Sequence, residues 1–241
     1  MVIVPSVDVR GGRVVFRGGV GADVHPRDLA RRFIADGADE LHLVDLDGAE
    51  RGVFANRELL GEIARESGVP CRLAGGIVDV ALAEQAIGRD GFAGVLFSAA
   101  VFGDDALLPG IAALGAGAIV EIEAQGGVLA PRASDGELAR RAAGGDAARA
   151  AGRAVTAGVR DLYVIDVSTD GRLGGPPLAL LERVRASLGP AASGVRFHTG
   201  GGVRDLDDLR ALARWGAASA VVGRAIADGR FTVAEAKAAA A

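Results

Sequence analysis

The chain has 241 residues, half of them hydrophobic, with 27 basic and 31 acidic side chains and a formal net charge of −4. Such a length suits one barrel-sized domain whose core needs no covalent or metal staple, and the acidic balance offers no attractive field to nucleic acid or to an anionic membrane. Cys71 is the only cysteine, and His25, His42 and His198 are the only histidines, which excludes an internal disulfide, a cysteine-built metal centre and a histidine-rich one.

The first residues form an apolar run cut by Pro5 and Asp8 with no basic segment ahead of it, and no uninterrupted apolar stretch reaches membrane-spanning length. The expectation is a cytoplasmic protein without targeting peptide or membrane span. Its 37 glycines stand singly or in pairs beside apolar runs, a placement that fits tight turns better than a linker.

In chain order, the β-branched run Val2–Val9 reads as a buried strand, and Arg27–Asp36 follows as a helix with Leu29, Phe33 and Ile34 on one face. Glu40–Leu46 then precedes helix Asn56–Glu66, Pro70–Ala74 precedes Asp79–Ile87, and Gly94–Ser98 precedes Ala106–Leu114. The second half continues with Ala118–Glu123 and Leu138–Ala157, Asp161–Val167 and Pro177–Leu188, Val195–Thr199 and Leu206–Trp215, Ala218–Gly223 and Val233–Ala240. Strands that are apolar on both faces and alternate with helices predict an α/β protein with a parallel sheet, best drawn as a (β/α)8 TIM barrel; an open doubly wound sheet shares the local pattern.

An internal repeat favours the barrel. Val7-Asp8-Val9-Arg10-Gly11-Gly12 is echoed by Ile122-Glu123-Ala124-Gln125-Gly126-Gly127, and Leu43-Val44-Asp45-Leu46 by Val164-Ile165-Asp166-Val167. Ala74-Gly75-Gly76 with Asp79 is echoed by Gly200-Gly201-Gly202 with Asp205, and Val95–Ser98 by Ala220–Gly223. Four collinear matches predict a single barrel over 1–241, built from two fused half-barrels of about 1–115 and 116–241.

Barrel chemistry sits at the C-terminal strand ends, where every echoed motif falls. Two-fold pseudosymmetry sets Asp8 and Glu123 on opposite sides of one mouth, and Gly75-Gly76 opposite Gly201-Gly202. Paired glycines before a helix direct backbone N–H groups at an anion, and the following strand ends, Ser98-Ala99 and Gly223-Arg224, complete a phosphate cradle on each side. The expected ligand therefore carries phosphates at both ends and reacts between two acids. Asp8 inside an apolar strand is costly without a purpose. Asp170-Gly171 fits both a plain turn and a site at the mouth; Asp45 and Asp166 fit loop anchors; His42 and His198 fit core histidines.

At these residues the chain resembles the HisA/HisF family. The carrying motifs are Ile3-Val4-Pro5-Ser6-Val7-Asp8 with Gly12-Arg13-Val14-Val15, Leu41-His42-Leu43-Val44-Asp45-Leu46-Asp47 with Asn56, Gly75-Gly76-Ile77, Asp170-Gly171, and Gly201-Gly202-Val203. They span essentially the whole chain and lie nearest the HisA branch with its bifunctional PriA relatives. The resemblance implies an isomerase of histidine biosynthesis that performs an Amadori rearrangement on the bis-phosphorylated aminoaldose ProFAR, without cofactor and as a monomer. It also implies Asp8 as general base, with Glu123 and Asp170 as acid candidates.

Six positions depart from the family pattern. Glu123 replaces an Asp, Ile165 a Thr and Val78 an Arg; Phe16 stands where an Arg is usual, with Arg17 next to it. Ser98-Ala99 replaces Gly-Thr, and the loop Gly126–Gly136 lacks a Gly-Trp segment. These keep two alternatives open: a paralogue acting on another phosphorylated substrate, and a non-catalytic barrel that binds a phosphate ligand.

Overall fold

In the computed structural model, which describes residues 1–16, 20–21, 23–52, 54–75, 77–132 and 136–241, all eight predicted strands form. They are β1 (Val2–Arg10), β2 (Leu41–Asp45), β3 (Cys71–Ala74), β4 (Gly94–Phe97), β5 (Ala118–Gln125), β6 (Asp161–Asp166), β7 (Arg196–Gly200) and β8 (Ser219–Val222). Each pairs in parallel with the next, and β8 pairs with β1 through Val2↔Ser219 to Pro5↔Val222. The sheet is thus closed into a barrel, which settles the choice between barrel and open sheet.

Both faces of each strand are buried, as the apolar runs require. In β1, Ile3, Val7 and Val9 pack outward under the helices, while Val4, Ser6 and Asp8 point into the barrel. The interior is plugged by Val4, Val44, Ala74, Leu96, Ile119, Tyr163, Ile165 and Val221, so the barrel is a packed core with a mouth at one end.

The outer helices follow local signals. Helix Leu206–Trp215 starts where the Asp205 side chain accepts from the Asp207 and Asp208 amides, and ends at the left-handed Gly216. One expected helix is corrected: the Leu138–Ala157 pattern is two helices, Glu137–Ala142 and Ala147–Thr156. Gly144 takes φ 84° between them, and Asp146 caps the second through the Arg149 amide. The expected helix Ala106–Leu114 likewise begins as a 3-10 turn, Asp105–Leu107, before helix Leu108–Ala113. Pro109 is the reason, since its ring fits only a first helical turn.

Three additions lie at the mouth. β1 turns back across Gly11-Gly12 into Arg13–Phe16, and β5 turns back across Gly126-Gly127 into Val128–Leu129, so one device recurs after both strands. Helix Leu46–Arg51 follows β2, capped by Asp45.

The opposite end is closed by a polar floor. Arg72 pairs with Glu40, and its Nη1 donates to Ser219 Oγ (3.0 Å) and His198 Nδ1 (3.2 Å). His198 Nε2 meets Asp161 Oδ1 at 2.9 Å, and Arg196 binds the same carboxylate through two contacts of 2.7 and 2.8 Å. Arg72 has only donors, so Nδ1 is the acceptor and Nε2 carries the proton towards Asp161. His198 is a satisfied structural histidine, remote from the mouth.

Candidate active site

Asp8 ends the inward face of β1, level with Val44 of β2, and is 8% exposed. Four strands round the ring, Glu123 holds the matching place on β5, level with Ile165 of β6, and is 3% exposed. Both line one pocket with Asp170 from the loop after β6. The three expected carboxylates therefore share a single cavity at the C-terminal end of the barrel.

The glycine turns lie on its rim. Gly75, Gly201, Gly202 and Gly223 line the pocket together with Ser98 and Arg224; Gly76 and Arg17 lie outside the described residues, as does the side chain of Phe16. Glycine is required by crowding as well as by conformation at two of these positions. Gly75 has φ 95°, and a Cβ there would collide with the Asp45 carbonyl oxygen; Gly202 has φ 77°, and its Cβ would collide with the Gly175 carbonyl oxygen. The two turns thus sit directly on the neighbouring strand-end loops.

Those loops are held by the residues expected to anchor them. Asp45 accepts from the Gly48 amide, the Asn56 amide and the Asn56 side chain, each at 2.7 Å. Asp166 accepts from the Ser168 amide (2.8 Å) and hydroxyl (2.6 Å). Asp47 links the first hairpin to this frame by accepting from the Gly11 amide at 2.6 Å, and that hydrogen bond, with a second from Asn56, holds its carboxyl below the usual carboxylate range.

Arg132 was not singled out in the sequence, yet it organises one side of the pocket. Its Nε donates to Glu123 Oε1 at 2.9 Å, and its Nη1 pairs with Asp170. The other Glu123 oxygen accepts from Ser98 Oγ (3.0 Å) and from the Ala99 amide (3.3 Å). Two donors expected to cradle a phosphate are accordingly engaged by a side-chain carboxylate. On the opposite rim, Arg224 Nη1 donates to the Gly171 carbonyl at 2.7 Å, which ties the β8 end to the loop that carries Asp170.

The remaining pocket wall is mixed. His42 and Tyr163 stack with ring centroids 6.1 Å apart, and Ile165 adds an apolar patch between the β5 and β6 acids. Among the described residues, no group of three or more His, Cys, Asp or Glu side chains is arranged to hold a metal ion, and no helix is long and apolar enough to cross a membrane. What the pocket presents is acid–base chemistry, with carboxylates on facing walls, between glycine turns whose backbone can approach an anion.

Comparison with known proteins agrees with this picture. The family model described as "Histidine biosynthesis protein" matches residues 2–232. A relative from Rubrobacter xylanophilus is 38% identical over 99% of this chain and 96% of its own length. One from Roseiflexus castenholzii is 34% identical over 99% of both chains, and one from Deinococcus radiodurans is 35% identical over 94% of both. All three are named 1-(5-phosphoribosyl)-5-((5-phosphoribosylamino)methylideneamino)imidazole-4-carboxamide isomerase.

Proposed function

Because the chain belongs to the histidine biosynthesis protein family, we propose that its mouth catalyses the Amadori rearrangement of ProFAR, the isomerisation for which its relatives are named. The observation that carries this reading is the placement of Asp8 and Asp170 in one pocket, between the Gly75 turn and the Gly201-Gly202 turn.

The reaction needs a proton delivered and a proton removed. An acid protonates the ring oxygen of the aminoaldose, the C1–O bond breaks, and the nitrogen lone pair forms an iminium at C1. A base then takes the proton from C2, giving an enolaminol that tautomerises to the 1-amino-ketose. Asp8, on the rigid wall of β1, is the base. Asp170 is the acid, because it rides on the loop after β6 and lines the same pocket as Asp8. Glu123 takes the complementary role of anchor: as an acceptor-only carboxylate it receives three hydrogen bonds, from Arg132 Nε, Ser98 Oγ and the Ala99 amide. Phosphate groups at the two glycine rims hold the reacting carbons between the acids. The pseudosymmetric hairpins after β1 and β5 support reading the barrel as two fused halves, about 1–115 and 116–241.

The test is conversion of ProFAR by the purified protein, with Asp8→Asn as control. The expected result is turnover in the wild type and a loss of about 10²- to 10⁴-fold in the folded variant; equal rates would remove Asp8 from the mechanism. A second reading has one specific support: Glu123 already engages Ser98 and Ala99, so a phosphate at that rim has to displace it. This favours a related aminoaldose with a single phosphate. Turnover of such a substrate together with none of ProFAR would establish it.

A further inference from the structure

Ser6 is a polar group of the pocket to which the roles above give no part. Ser6 lies on β1 two residues before Asp8, and residues two apart on a strand share a face, so both side chains enter the barrel. Ser6 Oγ donates a hydrogen bond to Asp8 Oδ1. Both residues are buried. Ser6 sits level with His42 of β2 and packs beside Gly223 after β8, which fixes the hydroxyl beneath the carboxylate.

We propose that Ser6 is the positioning residue for the base: its hydroxyl pins Asp8 Oδ1 and fixes the plane of the carboxylate that receives the substrate proton. This rests on Asp8 being the base, as argued in the preceding subsection. A hydroxyl donor binds an ionised carboxylate more strongly than a protonated one. Ser6 therefore stabilises the resting, proton-free form of Asp8 and sets how readily it accepts a proton. Among the described residues, the other charged or titratable groups of the pocket include His42 from β2, Tyr163 from β6, and Arg224 after β8. From the β5 side come Glu121, Glu123 and Arg132, with Asp170 on the β6 loop. None is altered by substitution at Ser6, so a change on removing the hydroxyl reports on this hydrogen bond.

The experiment compares wild type with Ser6→Ala by two readouts. The first is the titration of the Asp8 carboxyl followed by 13C NMR of aspartate-labelled protein, with the signal assigned by its loss in Asp8→Asn. The second is the pH profile of kcat/KM with ProFAR. The Asp8 midpoint is expected to rise by about one pH unit in Ser6→Ala, and the acid limb of the profile with it. Above that limb, kcat is expected to fall about tenfold with KM little changed. An unmoved midpoint overturns the proposal, and so does a rate loss with both midpoint and limb unmoved, since that is what a merely structural role gives. Should Ser6→Ala fail to fold, Ser6→Cys keeps the shape and weakens the donor, and the same shift is expected with a smaller size. Absence of ProFAR turnover in the wild type would strike at the reading of the reaction, while the NMR titration would still decide the Ser6–Asp8 pair.

Discussion

At the floor of the barrel two carboxylates, Glu40 and Asp161, are matched by two guanidinium groups, Arg72 and Arg196, around a neutral His198. At the mouth the described residues lining the pocket include four carboxylates, Asp8, Glu121, Glu123 and Asp170, and two guanidinium groups, Arg132 and Arg224. Both ends bury ionisable side chains that an apolar core would not choose. The floor balances its charge and fills its space, so it can do no more than hold strands together. The mouth gathers its carboxylates around a hollow, an arrangement suited to moving protons.

The largest expected effect that sharpens this contrast is at the mouth. Asp170→Asn should lower kcat/KM for ProFAR about 10²- to 10⁴-fold while leaving the urea midpoint almost unchanged. A variant that kept its activity would hand the acid role to Glu123.

The floor should answer in the opposite sense. Asp161→Asn removes the shared partner of Arg196 and His198 and should cost about 3 kcal/mol of stability, read by denaturant unfolding, with kcat of the folded fraction retained. Loss of turnover without loss of stability would erase the distinction between the two ends.

A smaller effect belongs to Arg132, which ties Glu123 to Asp170. Arg132→Met should lower kcat/KM about tenfold by freeing the acid-bearing loop, measured by steady-state kinetics. The smallest effect is a pH dependence of folding. Burial pushes the His198 imidazole below its ordinary 6.5; the Asp161 hydrogen bond pulls it back up, and Arg72 pushes it down further. As pH falls through 6.5 the unfolded chain takes up a proton that the folded barrel refuses, so stability should be full above that value and decline below it. Urea midpoints at pH 7.5 and 5.5 should therefore differ more in the wild type than in His198→Gln. In the far more acidic range Asp161 adds to the decline: burial pushes its carboxyl up, but His198 and Arg196 outweigh that and hold it below the ordinary value. Its stabilising part is lost as pH drops through that lowered value.

Much of this architecture was legible because it is written in periodicity. Continuous β-branched runs specify strands buried on both faces, and the doubled motifs mark the strand ends where Asp8, Glu123 and the glycine turns lie. What escaped depends on approaches between distant segments. Arg132 follows Pro131 in a loop with no pattern of its own, and its importance arises only where the loops after β5 and β6 meet. The break at Gly144 was hidden because alanines on either side continue the helical pattern. The floor was missed for a related reason: Arg72, Asp161 and His198 each sit alone inside an apolar run, and only closure of the barrel brings them together.

The pairing of β8 with β1 has a consequence for how such a catalyst can change. A closed hoop has no loose end, so one stave cannot slide without dragging every other, and Asp8 is held as firmly as a mark cut in the rim. Asp170 and Arg132 hang from connecting segments outside that hoop. A lineage can rewrite those segments, and with them the choice of sugar, while the mark and the hoop stay as they are.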